Sequence, residues 1–185
     1  MAKDVRERMV AGATRLLASK GLQATSFSEV IELTATPRGS IYHHFPGGKD
    51  ELVLAALQES CSLMLDGIDK AEGQGAERVL ETLVAGWRAL LENSGYSMGC
   101  AAVAVTVATD NGELLEASGG VFEKWQQRLT ELYVAGGLSD ADAADFAAHS
   151  LATIEGAVVL ARAQRSIEVY DRCVRLLPRM LAALR

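Results

Sequence analysis

The sequence has little of what most catalytic, secreted or metal-binding proteins display. Its 185 residues include only 3 cysteines, 3 prolines and 3 histidines. Cys61, Cys100 and Cys173 are odd in number and far apart, with no C-x-x-C pair and no histidine at zinc spacing. That excludes a disulfide framework and a zinc knuckle, and reads as reduced intracellular thiols. Aromatics make up 5%, and with alanine and leucine dominant and proline scarce, the composition disfavours a β-sandwich or barrel. There is no uncharged apolar run long enough to cross a bilayer, and the start MAKDVRERMV has charges where an export signal requires an apolar core. A cytoplasmic protein with no membrane partner is expected.

Catalytic motifs are also missing. There is no G-x-S-x-G elbow, and Gly47-Gly48-Lys49 fails as a phosphate loop: the first glycine would fall at His43, Asp50 replaces the required hydroxyl, and no strand precedes it. His43 and His44 are adjacent, about 100° apart around a helix, and do not converge on one metal. Asp140 and Asp142 read as helix-start charges. No enzyme activity, metal or cofactor is expected.

What is present is an ordinary globular composition, 49% apolar and 23% charged, long enough for one full core or for a small module joined to a larger one. The net charge of −6 argues against a nucleic-acid partner until it is divided. Residues 1–50 hold seven basic side chains (Lys3, Arg6, Arg8, Arg15, Lys20, Arg38, Lys49) against five acidic ones, +2, leaving −8 for the rest. A basic head on an acidic body is the implied organisation.

Apolar periodicity and stop signals give helices throughout. Val5, Met9, Ala13, Leu16 and Leu17 form the first, with Arg6, Arg8, Arg15 and Lys20 on its other face and Gly21 as its stop. Ser26 and Glu29 form a capping box for a short second helix ending near Leu33 or Thr34. Thr36 is read as the cap of a third, with Pro37 at its first position, running to about Phe45. Short helix, tight turn, short helix is a helix-turn-helix. Lys49 to about Glu72 and Val79 to Leu91 give two more. The β-branched stretch Cys100 to Thr109 is assigned as a short buried helix because no second strand exists to pair with it. Leu114 to Tyr133 follows, with Gly119-Gly120 expected to kink or split it. Ser139 caps a long helix to Ala163, and Val169 to Leu184 form the last, bent at Pro178. The fold class is all-α.

The third helix carries the chemistry. Ile41 and Phe45 fall on one face, while Arg38, Ser40, Tyr42, His43 and His44 occupy the rest; each of these can donate a hydrogen bond and none is acidic. That surface suits a DNA major groove, with Arg38 reaching guanine, the others reaching phosphates or base edges, and Gly39 permitting close approach.

From Thr25 to Leu52, with Ser40-Ile41-Tyr42-His43-His44-Phe45 and Lys49-Asp50-Glu51-Leu52 in register, the chain resembles the DNA-binding head of the TetR family of repressors. The spelling PRGSIYHHFPGGKDEL, Gly99-Cys100 and the run Glu155 to Ala163 also resemble the branch typified by LmrA and YxaF. One departure is Thr34-Ala35-Thr36 where the family usually has Ala-Gly-Val, so the turn is expected to close differently, with the Thr36-Pro37 cap compensating. The resemblance implies phosphate contacts by Thr25, Ser26, Tyr42, His44 and Lys49, and base-edge or groove contacts by Arg38, Gly39, Ser40 and His43. The alternative for Tyr42 and one histidine is packing within the head.

It further implies a DNA-binding domain over 1–48 and an effector-binding and dimerisation domain over 49–185. The homodimer would form through the last two helices; the small residues Ala144, Ala147, Ala148, Ala152, Gly156 and Ala157 and the stripe over 170–184 suit that role, part of each being core instead. Trp87, Tyr96, Met98, Cys100, Val103, Phe122, Trp125, Leu129, Tyr133, His149 and Glu155 are the candidates for a pocket holding a lipophilic or aromatic effector, ordinary core packing being the alternative for each. The expected function is a repressor that binds a palindromic DNA operator as a homodimer and leaves it when a small molecule binds; an activator, a ligand-independent regulator and an interaction module with a degenerate head are the alternatives.

Overall fold

A computed structural model describes residues 4–185; Lys3, counted above with the basic residues, lies outside them. Among the described residues there are ten α-helices and no strand: α1 (Val5–Ala24), α2 (Phe27–Thr34), α3 (Arg38–His44), α4 (Lys49–Ile68), α5 (Ala76–Asn93), α6 (Ala101–Thr106), α7 (Gly112–Ala135), α8 (Asp140–Gln164), α9 (Ile167–Val174) and α10 (Leu177–Ala183). The chain forms two compact units. The first takes the chain up to Ser62 together with Cys100–Val121, the second Leu63–Gly99 together with Phe122–Arg185. Compactness therefore does not divide at residue 48: α4 and α7 each begin in the first unit and end in the second.

In the first unit α1 packs against α2, α3 and α6. Met9, Ala13, Leu16 and Leu17 of α1 are buried with Val30, Ile41, Phe45, Leu52, Val53 and Val105. Gly21 breaks the helical path with φ 81°, a conformation glycine reaches without strain, and returns Leu22 to the core. Half of the capping box forms: Ser26 Oγ accepts the N–H of Glu29 at 3.2 Å. The other half does not, because the Glu29 carboxylate takes Lys20 Nζ at 2.7 Å. The β-branched stretch is a helix, α6, as its lack of a partner strand requires; Ala101, Ala102 and Val105 are buried.

Two expectations for the turn are corrected. The residue flanking α3 is Pro37, which makes no capping hydrogen bond; the Thr36 hydroxyl instead meets that of Thr34 at 2.9 Å. Nor does the turn avoid the left-handed region, since Ala35 adopts φ 49°, ψ 41°.

In the second unit α8 packs on α5 and α9, and α5 on α9 and α10. The core contains Leu83, Trp87, Leu91, Trp125, Leu129, Tyr133, Phe146, Leu151, Ile154, Val158, Tyr170 and Leu181. Tyr170 donates its hydroxyl to the Val84 carbonyl at 2.8 Å, and Arg88 bonds Asp171 at 3.0 Å. Arg128 lies among Asp69, Glu72 and Glu131 at 2.7, 3.0 and 3.2 Å, hydrogen bonds that raise its pKa, Asp69 most of all.

Gly119 and Gly120 do not interrupt α7, which is continuous over Gly112–Ala135. The last helix, expected as one bent element, is two: α9 ends at Val174 and α10 begins at Leu177. Pro178 in the first turn of α10 accounts for this, since proline is tolerated there but supplies no N–H to continue a helix from α9. By length and composition α8 is apolar enough to cross a membrane, but 50% of its most apolar window is buried inside the protein.

Candidate nucleic-acid interface

The recognition surface is built on two anchors. Ile41 and Phe45, one turn apart, are 0% and 1% exposed, and burying them turns the remainder of α3 outward. Arg6 of α1 lies over the Phe45 ring at 5.3 Å, a cation–π contact that closes the base of the helix. Arg38, Gly39, Tyr42 and His43 are exposed, and Ser40 and His44 are half-buried. A Cβ at Gly39 would meet nothing within 4 Å, so the helix surface there is open. Tyr42, 64% exposed, rests edge-on against Phe27 of α2 at 5.4 Å. Its ring is thus positioned by packing while its hydroxyl stays free, which joins the two readings of this residue. The His43 and His44 rings meet edge-on at 5.4 Å. Across this face the side chains present donors and no carboxylate, the complement of phosphates and of guanine edges.

The side chains at its margins have other duties. Thr25 is 0% exposed and its hydroxyl bonds the Gly21 carbonyl at 2.9 Å, so it is not presented to a ligand. Lys49 directs Nζ to the Leu22 carbonyl at 2.7 Å, capping the end of α1 instead of reaching outward. Ser26 accepts from Glu29 N–H, yet its own O–H remains able to donate at the start of α2.

Sequence reasoning missed the role of Arg8, assigning it to the exposed basic face. It is half-buried, and Nη2 donates to the carbonyls of Thr34 and Ala35 at 2.9 and 3.3 Å. Gly12, one turn further, is buried beside Thr34 Cγ2. Their spacing of four on α1 was the available signal, masked because arginine and glycine do not register as an apolar stripe.

The effector candidates divide between the units. Cys100 and Val103 belong to the first; Trp87, Tyr96, Met98, Phe122, Trp125, Leu129, Tyr133, His149 and Glu155 belong to the second. Trp87, Trp125, Leu129, Tyr133 and Glu155 are buried. Phe122 stands edge-on to Trp125 at 5.7 Å and Tyr133 to Phe146 at 5.1 Å. Burial pushes the Tyr133 hydroxyl up to about 12, with Ser150 acting the other way. His149 is corrected: it is exposed on α8, its ring 3.5 Å from Thr153 of the same helix, because it falls on the outward face with Ala148 and Ala152. A groove of about 410 Å³ lies between Arg6, Glu7 and Val10 of α1 and Ala55, Gln58, Glu59 and Ser62 of α4; it holds none of these candidates.

Gly99 and Arg162, from separate segments of the sequence, meet. A Cβ at Gly99 would fall 2.7 Å from Arg162 Nη1, and Arg162 donates to the Ser97 carbonyl at 3.1 Å.

A short helix, a left-handed turn and an acid-free exposed helix on an otherwise all-helical chain are the parts of a helix-turn-helix DNA-binding regulator of transcription. Residues 9–56 match the family described as bacterial regulatory proteins, tetR family, and residues 76–175 match the transcriptional regulator LmrA/YxaF-like C-terminal domain. An uncharacterized HTH-type transcriptional regulator of Mycobacterium tuberculosis is 32% identical over 185 residues, covering 96% of this chain and 94% of that protein. A TetR transcriptional regulator of Legionella pneumophila superposes with a TM-score of 0.86 at 18% identity, over 97% of this chain and 98% of that one. The regulator FadR of Bacillus subtilis, solved in complex with stearoyl-CoA, superposes at 0.65 with 16% identity, over 96% of each chain. This chain belongs to the TetR family of bacterial regulators, in its LmrA/YxaF-like branch.

Proposed function

We propose that the protein is a repressor that binds a palindromic operator as a homodimer in the cytoplasm and is released by a small lipophilic or aromatic effector. The observation that carries the DNA reading is the exposed face of α3. Arg38, Gly39, Ser40 and His43 face base edges, and Ser26, Tyr42 and His44 face phosphates, while Thr25 and Lys49 hold the scaffold behind them. Residues 1–48 read DNA in this scheme, and 49–185 sense and dimerise.

Dimerisation is supported by the outward side of α8. Ala144, Ala148, Ala152, Gly156, Val159, Leu160 and Ala163 are exposed there, with Leu176 and Met180 of the α10 region, while Ala147 and Ala157 are core. Small side chains in a row let a second helix approach closely, and an exposed apolar stripe is stabilised by being covered. Two heads per dimer give a two-fold recognition surface, matching a palindrome. The effector reading rests on the buried aromatic side chains Trp87, Trp125 and Tyr133 of the second unit, where Glu155 is buried as well, an apolar interior with few polar groups. The FadR neighbour's stearoyl-CoA supports a lipophilic ligand in this architecture. Release requires the effector to bind a conformation unsuited to DNA better than the DNA-bound one, and α4, which runs from the first unit into the second, is the connecting lever.

The test is selection of duplexes from a random-sequence pool by the full-length chain, followed by titration of the selected duplex. Arg38→Ala is expected to weaken binding by about tenfold to a hundredfold, the scale of a lost bidentate base contact. Enrichment of no sequence, or unchanged affinity in the variant, would overturn the reading.

A further inference from the structure

We propose that α1 positions the recognition helix through the turn, with Gly12 and Arg8 as positioning residues that never touch DNA; this rests on the reading of α3 as the DNA-contacting helix. The turn between α2 and α3 is gripped from one side at two levels. At the first, Arg8 Nη2 takes both carbonyls at the end of α2, Thr34 at 2.9 Å and Ala35 at 3.3 Å. These are groups that a helix end leaves without partners. Their capture favours the left-handed Ala35 conformation (φ 49°), which a residue with a Cβ otherwise adopts at a cost.

At the second level, Gly12 is the point where α1 meets the end of α2. A Cβ at that position would lie inside van der Waals contact of Thr34 Cγ2, with Val30 and Leu33 at ordinary distances of 3.8 and 3.9 Å. Thr34 cannot turn aside. Its Oγ1 donates to the Val30 carbonyl at 2.7 Å and meets Thr36 Oγ1 at 2.9 Å, and rotating χ1 would break both while moving a β-branched side chain out of its well. Any side chain at residue 12 must therefore push the end of α2 away from α1. That push passes into the turn whose left-handed residue sets the angle of α3. Gly12 and Thr34 are a hole and a knob, and Arg8 is the tie that keeps them registered.

The decisive experiment is a size-exchange cycle read against both the selected duplex and a scrambled one. Gly12→Ala is expected to lower affinity for the selected duplex by about tenfold or more, the scale of misplacing one base contact, while scrambled-duplex binding at the same salt stays within about twofold because phosphate attraction depends on charge and not on the angle of α3. Adding Thr34→Ser, which removes Cγ2 and keeps the hydroxyl, is expected to restore most of the lost specificity. A general loss of folded protein cannot produce that pattern, since it would lower both duplexes together. Unchanged specificity in Gly12→Ala, or no recovery in the double variant, would overturn the inference.

Should Gly12→Ala fail to fold, the Arg8 arm decides in its place: Arg8→Gln should lose specificity, and Ala35→Gly should return it by making the left-handed turn free of strain. Failure of that rescue likewise overturns the inference. Arg38→Ala separates it from the reading beneath it. If Arg38→Ala abolishes specificity while the Gly12 and Arg8 cycles do nothing, only the positioning role is wrong; if Arg38→Ala does nothing, the role of α3 itself is wrong.

Discussion

The two surfaces proposed for recognition, α3 and the outward side of α8, are unlike in chemistry and alike in what they leave open. α3 is 7 residues long and held at two apolar points, with the rest of its circumference given to polar donors. α8 is 25 residues long, with Ala143, Phe146, Ala147, Leu151, Ile154 and Val158 buried and Val159 still 52% exposed on its other side. Exposed donors lose nothing in water, so α3 is stable whether or not DNA is present. Exposed small apolar residues gain only when another surface excludes water from them. On the proposed reading, the head therefore makes a reversible contact and the stripe on α8 a lasting one.

The largest expected effect breaks the second surface and spares the first. Gly156→Glu puts a carboxylate on the exposed stripe of each copy, where a two-fold contact brings like charges together. Like-charge juxtaposition costs several kcal/mol, so the dimer dissociation constant should rise by at least about two decades, on the order of 3 kcal/mol. Sedimentation at micromolar concentration should show a monomer with undiminished helical circular dichroism, since residue 156 is exposed, and specific DNA binding should fall with the dimer. A variant that remains dimeric would remove α8 from the interface. Arg38→Ala is the converse and smaller change: about tenfold to a hundredfold at the selected duplex, with sedimentation unaltered.

The same contrast explains what could be read from the sequence. The head was legible because its signals are punctuated and local: Gly21, the Ser26 cap and the Ile41/Phe45 pair each dictate one step of the chain. Donors without acids on a short helix admit few readings. Small residues on α8 were ambiguous, because alanine suits a tight core contact and a tight contact with another chain equally, and only burial separates Ala147 and Ala157 from Ala148 and Ala152. His149 was misassigned for that reason: its helical phase goes with Ala148 and Ala152, outward. Thr25 and Lys49 were misassigned because a hydroxyl or an ammonium near a helix end serves a backbone carbonyl as readily as a phosphate. The split of the last helix at residues 175–176 depends on the position of Pro178 within α10, which periodicity alone does not give.

Buried hydroxyls in the second unit offer a third probe. Burial raises Tyr133 to about 12 and raises Tyr170 too, with Asp171 adding to it and Arg88 opposing it. For a tyrosine the raised folded value means that the folded state holds the proton more tightly than the unfolded one. The associated stability is complete below the unfolded value near 10 and is lost as pH climbs toward the folded value. From Tyr133 alone, the loss at pH 11 is on the order of 1 kcal/mol. Urea midpoints at pH 9, 10 and 11 should decline accordingly, and Tyr133→Phe should flatten part of the decline. An identical decline in Tyr133→Phe would mean that this hydroxyl titrates as freely folded as unfolded.

The smallest effect lies at the left-handed residues, where the head and the body can be compared directly. Ala35 closes α2 at φ 49° and Arg165 closes α8 at the same angle. A side chain there costs about 1–2 kcal/mol relative to glycine, and glycine gives back about 0.4–1 kcal/mol through the larger freedom of the unfolded chain. Ala35→Gly should therefore stabilise the protein by about 0.5–1 kcal/mol, because the methyl group makes no hydrogen bond that would be lost and the Arg8 bonds go to backbone carbonyls that glycine retains. Arg165→Gly should gain less, since the guanidinium also reaches the Gly95 carbonyl at 3.5 Å, a long bond but one that glycine cannot make. Paired urea titrations with equal slopes would rank the two. Ala35→Gly below the parent in stability would mean that the Ala35 methyl group contributes packing that outweighs its strain, and that the turn is held by contact at residue 35 itself as well as by the grip of α1.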